Sequence, residues 1–234
     1  MQWPGSRSGG GILVGVALLG FSGLAWAAGE GAAASRFPIA KVRFEQNATD
    51  KDVEVVFLVK GRNEGLAKLS VVAPDGRVVV DFTAPGAEAM GIREFELESP
   101  EPSDVAALKA AYPEGVYRFS GSTASGKQLA SEARLSHALP ATASFVHPAA
   151  DAENVPSQGL EIRWTPVEGA AGYVVELEQD DLGFKLEVAL PAAASRLGVP
   201  DGLLQPGTEY DLGIGSVAAD GNVSFVETSF TTAP

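Results

Sequence analysis

The chain contains no cysteine. No disulfide can staple it, so core packing alone must hold the fold, and thiol nucleophiles, thiolate metal sites and iron–sulfur clusters are excluded. A lipid anchor built on an acylated cysteine is excluded on the same ground. Histidine is almost as scarce, with His137 and His147 the only two. Basic residues are short as well: 17 Lys+Arg stand against 30 Asp+Glu, a formal net charge of -13. That balance argues against nucleic acid as a partner, because polyanion binding needs clustered Lys and Arg to displace counterions. Catalytic signatures are missing too. The glycines fall in turns and near the N-terminus rather than between a strand and a helix, so no phosphate-cradling loop is formed. No Gly-x-Ser-x-Gly elbow occurs. What is present is an ordinary globular composition, 234 residues of which 45% are hydrophobic. Wholesale disorder is excluded, and one large or two small domains can each bury a core.

Residues 1–27 have the pattern of an export signal. Arg7 supplies a short basic start, Ile12 to Leu24 is an apolar run, and Ala25-Trp26-Ala27 is a small-x-small cleavage site. The run includes Gly15, Gly20, Ser22 and Gly23 and falls short of the roughly 20 strongly apolar residues that a membrane span prefers. Arg7 stands alone between two serines, so a twin-arginine signal is absent. The expectation is a periplasmic or secreted protein with no membrane span once the signal is removed. Cleavage would leave 16 basic against 30 acidic residues, and Trp164 as the one tryptophan. Residues 28–36 are rich in Gly and Ala without periodicity and form a flexible leader.

From Phe37 onward, short alternating runs are separated by turn residues, the pattern of all-β sandwiches and barrels. In the first half, 37–140, Val53, Val55, Phe57 and Val59 alternate in one run and Leu69 and Val71 in the next. Pro74-Asp75-Gly76 is a tight turn into Val78–Phe82. Phe95 and Leu97 in the run Ile92–Leu97 alternate with Glu94, Glu96 and Glu98, which gives one buried and one acidic face. A single short helix is predicted over Val105–Ala111, capped by Ser103 with Asp104 in its first turn and stopped by Pro113. Val116–Gly121, with Tyr117 and Phe119 inward, and Gln128–His137 close the half around an Ala124-Ser125-Gly126 turn. About seven strands in about 100 residues imply an immunoglobulin-like sandwich, with a small barrel as the alternative. Ala138–Ser144, with Pro140, breaks the alternation and marks a boundary with no long polar tract, so the halves are expected to be semi-rigidly joined.

In the second half, 141–234, Leu160, Ile162 and Trp164 alternate inward, as do Tyr173, Val175 and Leu177 with Glu176 and Glu178 outward. The Leu204-x-Pro206-Gly207-Thr208-x-Tyr210 corner, Leu212 and Ile214 at period two, the Ala219-Asp220-Gly221-Asn222 turn and the closing Ser229-Phe230-Thr231-Thr232 follow. Together with Trp164, Pro166 and the Gly169-Ala170-Ala171-Gly172-Tyr173 strand entry, these residues resemble a fibronectin type III domain. The resemblance spans roughly residues 142–234. It implies a sandwich with Trp164, Tyr173, Leu204 and Tyr210 as structural core, and no catalytic residues. The physics agrees: a mid-strand Trp fills the centre of a two-sheet core, and a Tyr after a Pro-Gly corner can return its hydroxyl to the preceding backbone. No Arg-Gly-Asp tripeptide occurs, so integrin-type recognition is not implied. The fold expectation is therefore all-β: two tandem immunoglobulin-like β-sandwiches, the second of fibronectin type III type, with one short helix in the first.

Candidate interaction residues are few. Ser136 and His137 are no dyad, because adjacent strand residues point to opposite faces. Two imidazoles would need carboxylates such as Asp151 or Glu153 to bind a metal. No metal ligand, catalytic residue or cofactor is assigned. The acidic row Glu94, Glu96 and Glu98 suits a basic partner and discourages edge pairing. Asp180, Asp181 and Phe184 mark a hairpin tip after Leu177, and Asn47–Asp52 is another oxygen-rich loop; neither matches the EF-hand spacing. Tyr112 and Phe184 are the aromatics left for a sugar platform. Asn47-Ala48-Thr49 and Asn222-Val223-Ser224 fit the N-glycosylation pattern. The functional expectation is an exported non-enzymatic binding or scaffolding protein that docks a protein or surface polymer through sandwich loops or edges. A carbohydrate-recognition or calcium-dependent adhesion module is the alternative, and an enzyme accessory subunit with its chemistry in the first half is a second.

Overall fold

Alternation of apolar and polar residues builds nearly every strand. In Asp52–Lys60 (β2), Val53, Val55, Phe57 and Val59 are all under 8% exposed, so one face of the strand is core. The computed structural model describes residues 34–84, 86, 90–101 and 104–234. The expected export signal and the expected Ser103 cap lie outside the described residues. Asp104 itself caps the helix, its carboxylate accepting from the Ala106 and Ala107 amides.

The first half consists of Ile39–Asn47 (β1), β2, Leu66–Val72 (β3), Val78–Thr83 (β4), Glu94–Glu98 (β5), the helix Val105–Ala111 (α1), Gly115–Thr123 (β6) and Gln128–Leu135 (β7). They form two sheets, β1-β2-β5 and β4-β3-β6-β7. This is a sandwich, not a small barrel, because the two sheets face each other across one core without closing. Phe57 lies at its centre, its ring 5.9 Å from Tyr112, 5.7 Å from Tyr117 and 6.5 Å from Phe119. The run expected from Ile92 narrows to Glu94–Glu98, and Ile92 makes only an isolated bridge to Leu66. The strand expected through His137 ends at Leu135. Ser35, placed in the leader by composition, is held between the Gln128 carbonyl and the Ala130 amide, and Phe37 is already buried.

The second half consists of Phe145–His147 (β8), Ala152–Val155 (β9), Glu161–Trp164 (β10), Gly172–Gln179 (β11), Phe184–Pro191 (β12), Arg196–Gly198 (β13), Glu209–Val217 (β14) and Val223–Thr232 (β15). Its sheets are β13-β10-β8 and β12-β11-β14-β15, with β9 as a short extra strand beside β15. With β9 set aside, the strand order of the first half is repeated. The first, second and fifth strands form one sheet, and the fourth, third, sixth and seventh form the other. This half has a fibronectin type III-like fold. Trp164 is 2% exposed and packs at 5.4 Å against Tyr173, which is 1% exposed. Leu204 and Tyr210 are buried in the same core.

The two halves share a sheet. β1 runs parallel to β15, with Glu45, Gln46 and Asn47 paired to Val223, Ser224 and Phe225. The strand order β12-β11-β14-β15-β1-β2-β5 is therefore continuous across both cores, and residues 34–234 form one compact unit.

Candidate functional site

Parallel pairing of two sheet edges leaves backbone groups at the seam that side chains must satisfy. Asn222, 1% exposed at the start of β15, does most of this. Its Oδ1 accepts the Phe44 amide at 2.7 Å, and its Nδ2 donates to the carbonyls of Ser136 at 3.0 Å and Ala138 at 2.8 Å. The Ser224 hydroxyl donates to the Pro140 carbonyl at 2.7 Å, and the Ser216 hydroxyl donates to the Ala141 carbonyl. The Ala138–Ser144 boundary segment is thus tied at Ala138, Pro140 and Ala141 to β14, β15 and the turn between them. At the other end of the seam, the Ala48 amide donates to the Phe225 carbonyl at 2.9 Å, and the Glu227 amide donates to the Thr49 hydroxyl at 2.8 Å. Asn47 Nδ2 donates to the Glu227 carboxylate at 2.8 Å. Both N-glycosylation tripeptides therefore lie at the seam, and the Asn222 amide is spent inside it.

The seam brings carboxylates from both halves onto one sheet face. Glu45 on β1 is directly opposite Glu54 on β2. On the other side, Glu187, Glu176, Gly213 and Glu227 are lateral neighbours across β12, β11, β14 and β15. Between the two groups is a cleft of about 250 Å³, and seven of its ten lining residues are acidic: Glu45, Asp50, Asp52, Glu54, Glu101, Glu176 and Glu227. Phe225 forms part of its floor. Its ring covers Gly215, where a Cβ would come within 2.8 Å of it.

Burial and mutual repulsion both raise the carboxyl pKa values here. Glu54 is pushed up to about 7, first by burial and then by the charges of Glu45, Glu98 and Glu101. Glu45 is raised chiefly by burial, against the opposing ion pair with Arg43 at 2.7 Å. Glu176 and Glu227 are also raised, mainly by burial. Glu45 adds to the first from across the seam, and Asp50 and Asp52 add to the second. Like charges placed directly opposite on neighbouring strands cost stability, so this face carries a penalty that the fold does not require.

The residues singled out from the sequence divide by location. Glu94, Glu96 and Glu98 are exposed on β5, the edge strand at one end of the continuous sheet. Glu94 pairs with Lys60 at 2.6 Å, while Glu96 and Glu98 extend the acidic face through their fields on Glu45. Asp180 and Asp181 are exposed in a 3₁₀ turn between β11 and β12, away from the cleft lining. Phe184 follows that turn but is half-buried, edge-on to Tyr210 at 5.8 Å. Tyr112 packs on the first core, and the His137 ring hydrogen-bonds the Tyr112 carbonyl at 2.8 Å and lies 5.1 Å from the Phe44 ring. Among the described residues no group of three His, Asp or Glu is arranged to hold a metal ion, and no helix is long and apolar enough to cross a membrane. Sequence reasoning missed Glu45, Glu54 and Glu227, whose outward positions look ordinary until β1 and β15 are placed side by side.

No protein-family model matches the chain, and no curated protein matches it. Among solved structures it is similar to the fibronectin(III)-like modules of Clostridium thermocellum CbhA, at 13% identity over 84% of this chain and 91% of that one, TM-score 0.33. A two-domain fibronectin type III segment of chicken tenascin is similar at 15% identity, over 82% and 99%, TM-score 0.31. The FN1–FN3 domains of chicken CNTN1 are similar at 14% identity, over 83% and 66%, TM-score 0.30.

Proposed function

We propose that the chain is an exported, non-enzymatic binding or scaffolding protein that holds two sandwiches in fixed relation and presents an acidic sheet face to a basic protein or surface polymer. The observation that carries this reading is the β1–β15 pairing, which joins Glu45 and Glu54 of one half to Glu176 and Glu227 of the other on one face. A flexible tandem would average that field away, whereas a continuous sheet fixes it. Clustered charge over a cleft steers and concentrates an oppositely charged partner. Calorimetric titration with a capped octalysine peptide tests it. Binding that weakens with added salt, and that is lost in a Glu54→Gln/Glu176→Gln/Glu227→Gln variant of unchanged fold, is expected. Binding that is insensitive to those three substitutions would remove the face from the account.

A further inference from the structure

Beside the acidic cleft, on the same side of the seam, is a second concavity of about 570 Å³ with the opposite charge on one bank. That volume is within the range of ligand-binding clefts, and junctions between domains are common places for them. Lys41 and Arg43 of β1 and Arg134 of β7 form the bank belonging to the first half. Val174, Ala189 and Val217 form a floor on the second, and two acids complete the charged lining: Glu187 on the far bank, and Asp220 in the β14–β15 turn, whose carboxylate accepts the Ser136 hydroxyl at 2.6 Å. Arg43 already serves Glu45. Lys41 and Arg134 are exposed, and neither takes part in an ion pair among the described residues. In a chain with 17 basic residues against 30 acidic ones, three basic side chains on one bank are a local reversal of sign.

We infer that this groove docks an extended segment of a partner protein in which carboxylate residues are followed by small aliphatic ones. The charge order across the groove selects that occupant: the basic bank takes carboxylates, the aliphatic floor takes uncharged side chains, and Glu187 and Asp220 repel further negative charge. A continuous polyanion is rejected by Glu187 and by the acidic cleft next to it. A free small carboxylate would satisfy the bank and leave Val174, Ala189 and Val217 uncovered. The inference rests on the reading of the chain as a docking protein and assigns a second surface to it, with the opposite partner chemistry.

The test is an amide chemical-shift titration of the full chain with the capped peptide Glu-Glu-Val-Ala-Val and its charge-reversed counterpart Lys-Lys-Val-Ala-Val. Shifts confined to β1, the end of β7 and the floor strands are expected for the first peptide. Lys41→Glu and Arg134→Glu should each weaken its affinity about tenfold, and Arg134→Lys should restore much of it. Equal shifts with both peptides, shifts lying elsewhere, or no shifts at all would overturn the groove assignment. The octalysine experiment is independent of that result, so the two readings can fail separately.

Discussion

The two halves of the chain repeat one strand order but fill it differently. The second is built around Trp164, set against Tyr173. The first has no tryptophan and uses Phe57 with Tyr112, Tyr117 and Phe119 around it. What they share is the corner before the sixth strand. Pro113 and Tyr117 have the same spacing as Pro206 and Tyr210, and each tyrosine is fully buried with its hydroxyl bonded back to the corner. Tyr117 donates to the Pro113 carbonyl at 3.1 Å, and Tyr210 accepts the Gln205 amide at 2.8 Å. Topology here follows the corner and the alternation, while the core content is interchangeable as long as the volume is filled.

The largest effect that tests this equivalence is at the core centres. Phe57→Ala and Trp164→Ala should each cost about 3–5 kcal/mol in denaturant unfolding. A far smaller loss for Phe57→Ala would show that the first half is not organised around that ring. Next is the seam. Asn222→Ala strands the Phe44 amide and the Ser136 and Ala138 carbonyls, and should cost about 1–3 kcal/mol. It should also split a single thermal transition into two, because it loosens the contact that couples the halves. Persistence of one transition with unchanged midpoint would count against the seam.

Smaller effects sharpen the corner comparison. Tyr210→Phe leaves the Gln205 amide donor without its acceptor, whereas Tyr117→Phe leaves only a carbonyl. The first should cost about 1 kcal/mol and the second less. Equal losses would mean that the ring, not the hydroxyl, secures the corner.

The smallest effect is electrostatic. Glu54 titrates near 7 in the folded chain, against an ordinary value of 4.5. The native state therefore binds this proton more tightly, so the stability it lends is complete below about pH 4.5 and is lost as pH rises through 7. After screening at a half-exposed site, about 1 kcal/mol is expected. Glu54→Gln should be more stable than the parent at pH 8 and indistinguishable from it at pH 4; the same advantage at both pH values would contradict a charge origin.

Much of the second half was legible because Trp164, the Pro206–Tyr210 corner and the Gly221 turn are local signals. The first half carried the same corner, but α1 stands where the second half has the turns of residues 200–204, and it disguises the repeat. The acidic row on β5, legible in the alternation, does not line the cleft. The cleft depends on the parallel β1–β15 pairing, and the bond that anchors it joins Phe44 to Asn222, 178 residues apart. Alternation sets which way a side chain points and carries no information on which edge will lie beside it. Asn222 in particular fits a modification pattern in the sequence and becomes a seam residue only when Phe44 lies beside it.

Amide hydrogen exchange at the seam tests the continuous sheet most directly. The Phe44 and Ala48 amides, bonded to Asn222 and to the Phe225 carbonyl, should exchange as slowly as those of the core strands β2 and β14. Exchange at the rate of an exposed loop, while β2 and β14 remain protected, would mean that the two sandwiches are separate and that no shared acidic face exists.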